Sequence, residues 1–307
     1  MIDLTWGSAP QPIGAVSMTG AAGELGVTGA AGELSAVDAT DPASTLAPKH
    51  NVAIRIMYDG SRYHGWQIQK GLPTVAGTLE AALARVCGHS VKLHGCGRTD
   101  AGVHALCYCA NFFTTSSIPP QRLPLAVNTF LPSDISVQEA QYAPDSFEAN
   151  LSCIKKEYTY KVYNSRIRDP FYASRAYFYP QKLDIPSMQR AAEHIVGTHD
   201  FVSLRSTGTV TKTTVRTVHW CEVETSGSIV DIRVCADGFL YNMARAIAGT
   251  LLYVSEGKIL PDDIPALLEA RDRRLAGPTA PPEGLYMTRI WYDDLRGAGF
   301  ELNTVFA

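Results

Sequence analysis

The sequence predicts a mixed α/β chain of the α+β kind, in which helices pack on a mainly antiparallel sheet. Three observations predict it. Short runs in which apolar and polar residues alternate recur along the chain, as at 52–57 and 214–220. Segments with apolar residues three and four apart, such as 79–86, separate them. Residues 50–142 then read β-α-β-β-α-β, the split βαβ arrangement.

With 307 residues, 46% of them hydrophobic, the chain can bury the core of one large or two ordinary domains. Its net charge of −3 is uneven. Residues 1–48 hold Asp3, Glu24, Glu33, Asp38 and Asp41 and no Lys or Arg, which leaves +2 for the remainder. A weakly basic remainder binds RNA only through a local cleft of positive charge, with strong salt dependence. Residues 1–48 also repeat Thr-Gly-Ala-Ala-Gly-Glu-Leu at 19–25 and 28–34 and offer little to bury, so they read as a disordered low-complexity tail. A second tail is expected at 297–307. No run of eighteen apolar residues is present, so no membrane span is expected, and the acidic, Arg-free start is unlike a transit peptide. A cytoplasmic setting is expected, with an organellar one open. Seven cysteines with no C-x-x-C pair suggest neither a disulfide framework nor a zinc knuckle and read as reduced small hydrophobes.

The first strand comes from Val52, Ile54 and Ile56 alternating with Ala53, Arg55 and Met57, and it ends at the turn signal Tyr58-Asp59-Gly60. Tyr63, His64, Trp66 and Gln67 then crowd a loop, with core filling the plain reading for the two aromatics. A helix is expected from Thr78, with Leu79, Ala82, Leu83 and Val86 on one face and Gly88 as its stop. Val91 and Leu93 begin a strand, a glycine-rich loop follows, and 103–114 form the next strand. A helix near 121–130 closes the first half.

In the second half, 147–163 holds a strand that interleaves Lys155, Lys156 and Lys161 with Tyr158, Tyr160 and Tyr163. One core face and one solvated face is the expectation for most of these, although lysines among tyrosines also suit phosphates and stacked bases. Arg166 and Arg168 lie in a basic turn, commonly a solvated surface and alternatively an RNA contact. A helix at 187–196, strands near 213–225 and 228–236, a long apolar helix opening at 237–245 and a last strand to Tyr292 complete the order. Arg245 is the one strong charge on that apolar helix, so its burial demands a partner.

The chemistry is expected in the run His94-Gly95-Cys96-Gly97-Arg98-Thr99-Asp100-Ala101-Gly102-Val103-His104. Its glycines let the backbone take positive φ and bring a bulky ligand close. Arg98 and Asp100 are two apart, so an extended backbone turns both to one face, where the guanidinium keeps the carboxylate ionised. Such a carboxylate suits a nucleophile or a cation stabiliser better than a proton donor. A tight turn capped by the Asp and paired with the Arg fits these residues about as well. A dinucleotide loop does not, because G-x-G-x-x-G needs Gly where Asp100 stands, and no P-loop pattern occurs.

Residues 97–105, GRTDAGVHA, resemble the catalytic motif of the TruA family of tRNA pseudouridine synthases. Five further blocks follow that family's order. Residues 58–69 fit YDG-x-x-Y-x-GWQ-x-Q without a gap, 128–135 resemble N-x-x-L-P-x-D-I, and His199-Asp200-Phe201 its H-D-F segment. Residues 239–245 resemble F-L-x-x-M-x-R, and 280–287 the closing A-P-x-x-G-L-x-L with Met287 for the last Leu.

The resemblance implies a pseudouridine synthase fold, with two ferredoxin-like split-βαβ halves, 49–145 and 146–296, around one sheet and a central cleft. It implies Asp100 as the catalytic carboxylate, Tyr158 packed on the target uracil, and Arg245 beneath the aspartate. Arg98 would help extrude the nucleotide and pair with Asp100 or a phosphate, with Thr99 beside it at the substrate. Lys155, Lys156, Arg166 and Arg168 are weaker RNA-contact candidates, and His199 and Asp200 are expected to order a connection rather than act as an acid-base pair. The implied substrate is the anticodon stem-loop of tRNA, the implied assembly a homodimer, and neither metal nor small-molecule cofactor is implied. Two departures stand out: Asn150 where a basic residue is common, and Lys156 for a frequent Arg, each at the loss of a guanidinium fork. An RNA-binding protein of the same fold without activity is one alternative. A nucleosidase is another, although it needs a general acid for which no second carboxylate in these loops is an obvious candidate.

Overall fold

The computed structural model describes residues 48–208 and 211–292, so that the expected tails at 1–48 and 297–307 lie outside it but for Pro48. In chain order the strands are β1 (His50–Tyr58), β2 (His94–Gly95), β3 (His104–Thr114), β4 (Ile135–Ala143), β5 (Cys153–Asn164), β6 (Tyr177–Tyr179), β7 (Gly197–Asp200), β8 (Val215–Ser226), β9 (Ile229–Ala236) and β10 (Leu285–Tyr292). The helices are α1 (Val75–Cys87), α2 (Leu123–Asn128), α3 (Ile185–Glu193), α4 (Met243–Ser255) and α5 (Ile264–Glu269).

One sheet takes all ten strands, in the order β4-β1-β3-β10-β5-β9-β8-β7, with β2 paired to β3 and β6 to β5. The ladders are antiparallel except β3 with β10 and β5 with β6. The β3–β10 pairing is short, Tyr286 with His104 and Met287 with Ala105, and it joins the strands of the first split βαβ unit to those that follow. The sheet is mainly antiparallel, as expected.

Burial is fuller than simple alternation suggests. In β1 the second face is buried too, and Arg55 is tolerated there because Glu139 of β4 meets it at 2.5 Å. Element starts also differ in informative ways. Helix α1 begins at Val75, ahead of the expected Thr78, because extended Thr74 accepts from the Gly77 amide and caps it. Helix α4 begins only at Met243, because Asn242 takes φ 60 and leaves Phe239, Leu240 and Tyr241 in the approach loop. Val91 and Leu93 are buried but belong to no strand, since β2 is two residues long.

Among the described residues no helix is long and apolar enough to cross a membrane. No disulfide links the seven cysteines, five of which are buried.

Candidate active site

The segment between β2 and β3 crosses a cleft of roughly 1180 Å³, lined on one side by this loop and on the other by β5 and the start of α4. The loop is held from below by the segment that follows β1. The Trp66 amide donates to the Thr99 carbonyl at 3.1 Å, and the Gly102 amide to the Tyr63 carbonyl at 3.2 Å. Tyr58 shares a hydrogen bond of 2.8 Å with the buried Thr99 hydroxyl. Trp66 stacks on Tyr108 with centroids 4.1 Å apart, and the Tyr108 hydroxyl donates to the Gly97 carbonyl. The aromatics of 58–69 therefore fill core, as their composition suggests, and in doing so they shape the loop. Gly65, at φ 82, passes so close beneath the Thr99 carbonyl that a Cβ would collide with it.

Asp100 stands at the first position of a turn closed by the Val103 amide, with Gly102 at φ 79. Its carboxylate is about one-third exposed to the cleft. The partner is Arg245 rather than Arg98: Arg245 Nη1 lies 3.2 Å from Asp100 Oδ2. Arg245 is itself fixed, donating from Nε to the Ala280 carbonyl at 2.7 Å and from Nη1 to Asn242 Oδ1 at 2.8 Å. The left-handed turn at Asn242 aims that amide at the guanidinium. Asn242 was not singled out from the sequence, although Asn is among the few residues that take positive φ readily.

Arg98 differs from expectation. Its side chain is exposed at the cleft, and among the described residues it has no hydrogen-bond or ion-pair partner. Arg98 and Asp100 both line the cleft, on either side of the buried Thr99, as an extended backbone places them, but the carboxylate takes its ion pair from Arg245.

Strand parity sorts the lysines and tyrosines of β5. Lys156 and Tyr158 face the cleft. Tyr158 is buried edge-on to Phe239, centroids 4.7 Å apart, and burial pushes its hydroxyl well above the usual tyrosine range, as it does for Tyr58. Burial thus favours the neutral phenol at both positions. Lys155 and Lys161 point to the opposite face, where Lys155 sits over the rings of Trp220 and Trp291, 4.9 and 4.8 Å from their centroids. Lys161 there meets Asp231 at 3.1 Å. Lys155, a weaker RNA-contact candidate from the sequence, thus lies over aromatic rings and does not line the cleft. Arg166 and Arg168 are exposed in the loop after β5 and do not line the cleft. Arg216, met in the sequence only as a strand residue, does line it.

His199 and Asp200 order their connection. Asp200 accepts from the Val202 amide and meets Arg271 at 2.5 Å. Among the described residues no group of His, Cys, Asp and Glu is placed to hold a metal ion.

A family described as tRNA pseudouridine synthase matches residues 54–150 and 191–293, which include the loop, Arg245 and the start of α4 but not β5. The chain belongs to this family. Among curated relatives, tRNA pseudouridine synthase A of Caldicellulosiruptor bescii is 46% identical over 242 residues, covering 79% of this chain and 99% of the relative. That of Acetivibrio thermocellus is 47% identical with the same coverage, and that of Bacillus subtilis is 43% identical over 78% of this chain and 98% of the relative. Membership in the family accords with a mixed α/β fold on a mostly antiparallel sheet of ten strands.

Proposed function

We propose that the cleft isomerises uridine to pseudouridine in tRNA, with Asp100 as the reacting carboxylate. The observation that carries this is the Asp100–Arg245 pair, a half-open carboxylate held against a guanidinium that is itself tied to Ala280 and Asn242. The reaction breaks the C1′–N1 bond, turns the uracil and joins C1′ to C5; N1 gains a proton and C5 releases one, so no electrons leave the substrate. An ionised carboxylate serves it either by attacking C1′ or by removing the 2′ proton. Arg245 fixes the carboxylate's direction.

Tyr158, at the cleft wall, packs on the base, a contact of about 1–3 kcal/mol. Arg98, exposed and unengaged, reaches into the gap left as the nucleotide is extruded, a step that costs a few kcal/mol. Thr99 acts through its neighbours, since its hydroxyl is taken by Tyr58. The substrate we assign is a uridine of the anticodon stem-loop, and the assembly a homodimer in which the halves 49–145 and 146–296 close on the cleft. The setting assigned is the cytoplasm.

The test is incubation of the protein, and of Asp100→Asn, with tRNA tritiated at uridine C5. Tritium release to water by the wild type alone establishes the isomerase and Asp100's part in it. Free uracil would mark a nucleosidase instead. Binding without release from several tRNAs would mark a binding protein on this fold.

A further inference from the structure

The two departures at Asn150 and Lys156 meet each other. Lys156 Nζ donates to Asn150 Oδ1 at 3.3 Å and also to the Cys96 carbonyl, just ahead of the Gly97-Arg98-Thr99-Asp100 turn. The ammonium lies so close to Gly97 that a Cβ there would stand 3.3 Å from it. The neighbouring carbonyl, that of Gly97, accepts from Tyr108, and the Thr99 carbonyl accepts from Trp66. The backbone leading to Asp100 is therefore pinned at 96, 97 and 99, while Arg98 is left to swing.

We propose that Lys156 is a positioning residue: its ammonium braces the Cys96–Gly97 segment across the cleft from β5, and Asn150 holds the ammonium in place. This rests on the isomerase reading. It reassigns Lys156 from phosphate contact to loop brace, and it explains why Asn suits position 150. A guanidinium there would repel the ammonium, whereas an amide oxygen accepts from it.

The two roles separate experimentally. In Lys156→Met the brace predicts faster amide exchange in the 95–102 backbone of the free protein. It also predicts a kcat about 10- to 100-fold lower, the cost of a misplaced reacting group, with KM for tRNA and the salt dependence of binding unchanged. Lys156→Arg, which can still donate to the Cys96 carbonyl, should restore kcat to within a few-fold. Asn150→Leu should slow the wild type but add little to Lys156→Met, because the two act as one unit. A raised KM with the salt slope smaller by about 1, and with kcat and exchange unaltered, would make Lys156 a phosphate contact and overturn the proposal. If the wild type released no tritium while exchange still quickened in Lys156→Met, the isomerase reading would fall and the brace would stand.

Discussion

The hydroxyl of Tyr58, on β1, lies 2.8 Å from the hydroxyl of Thr99, so the first strand of the sheet holds the residue beside Asp100. Both groups are buried, and each is the other's partner. Tyr58→Phe leaves the Thr99 hydroxyl buried without that bond, at a cost of about 1–3 kcal/mol of stability. Thermal unfolding should show this as a lower Tm. Single-turnover kinetics should show a slower chemical step with tRNA affinity kept, because the change loosens the loop and touches no RNA contact.

How much of this was legible beforehand depends on whether a property is local. Most strand and helix identities followed from alternation and spacing, the strand expected at Val91 and Leu93 excepted, and the capped end of α1 at Gly88 from a single glycine. Asp100 stood out through the resemblance of residues 97–105, since on those residues alone a tight turn capped by the Asp reads about as well, and the charge at Arg245 on an apolar helix announced that a partner existed. Its identity came only from the resemblance, which sets Arg245 beneath the aspartate, because Asp100 and Arg245 are 145 residues apart and no spacing rule joins them. Arg98 and Asp100 share the cleft face that a spacing of two implies, but Asp100 pairs with Arg245, so of the two partners expected for Arg98 the phosphate is the one left. The fate of Lys155 and Lys156 was decided by strand parity, which a sequence supplies, combined with which face meets the cleft, which it does not.

His104 gives the fold a pH dependence. Its ring is buried, stacked on Tyr286, with Nδ1 accepting from the Gly60 amide and Asp59 3.2 Å away. Burial holds its pKa below the ordinary 6.5, and this outweighs the pull of the Asp59 carboxylate in the other direction. A base whose folded pKa is depressed contributes stability that is whole above 6.5 and is lost as pH falls below it. Asp59 adds nothing in that window. Burial opposes its charge, but hydrogen bonds from Ser61 and the nearby His104 and Arg175 hold its pKa below 3.8, so its share goes only in stronger acid. Tm should therefore drop between pH 7.5 and 5.5 in the wild type, and less so in His104→Gln. Equal drops in the two proteins would refute this.

Arg98 is expected to dissociate function from stability. Its side chain is exposed and, among the described residues, unpartnered, so Arg98→Ala should change stability by no more than about 0.5 kcal/mol. If it contacts the extruded nucleotide or a phosphate, kcat/KM should fall about 10- to 100-fold, the equivalent of one charge-assisted hydrogen bond. Calorimetry alongside tritium release decides it. Near-wild-type turnover would remove Arg98 from the machinery.

Two glycines separate backbone strain from loop contact. Gly65 and Gly71 both take left-handed φ, 82 and 76, so an Ala at either costs about 1–2 kcal/mol from conformation alone. At Gly71 the added methyl meets nothing within 4 Å, whereas at Gly65 it runs into the Thr99 carbonyl that accepts from Trp66. Gly71→Ala should therefore lower Tm slightly and leave kcat as it was. Gly65→Ala should lower Tm further and kcat by about 10- to 100-fold, since lifting Thr99 moves Asp100 away from the guanidinium of Arg245. Equal effects of the two on kcat would mean that the path from the Tyr58–Trp66 segment to Asp100 does not set the geometry of the reacting carboxylate.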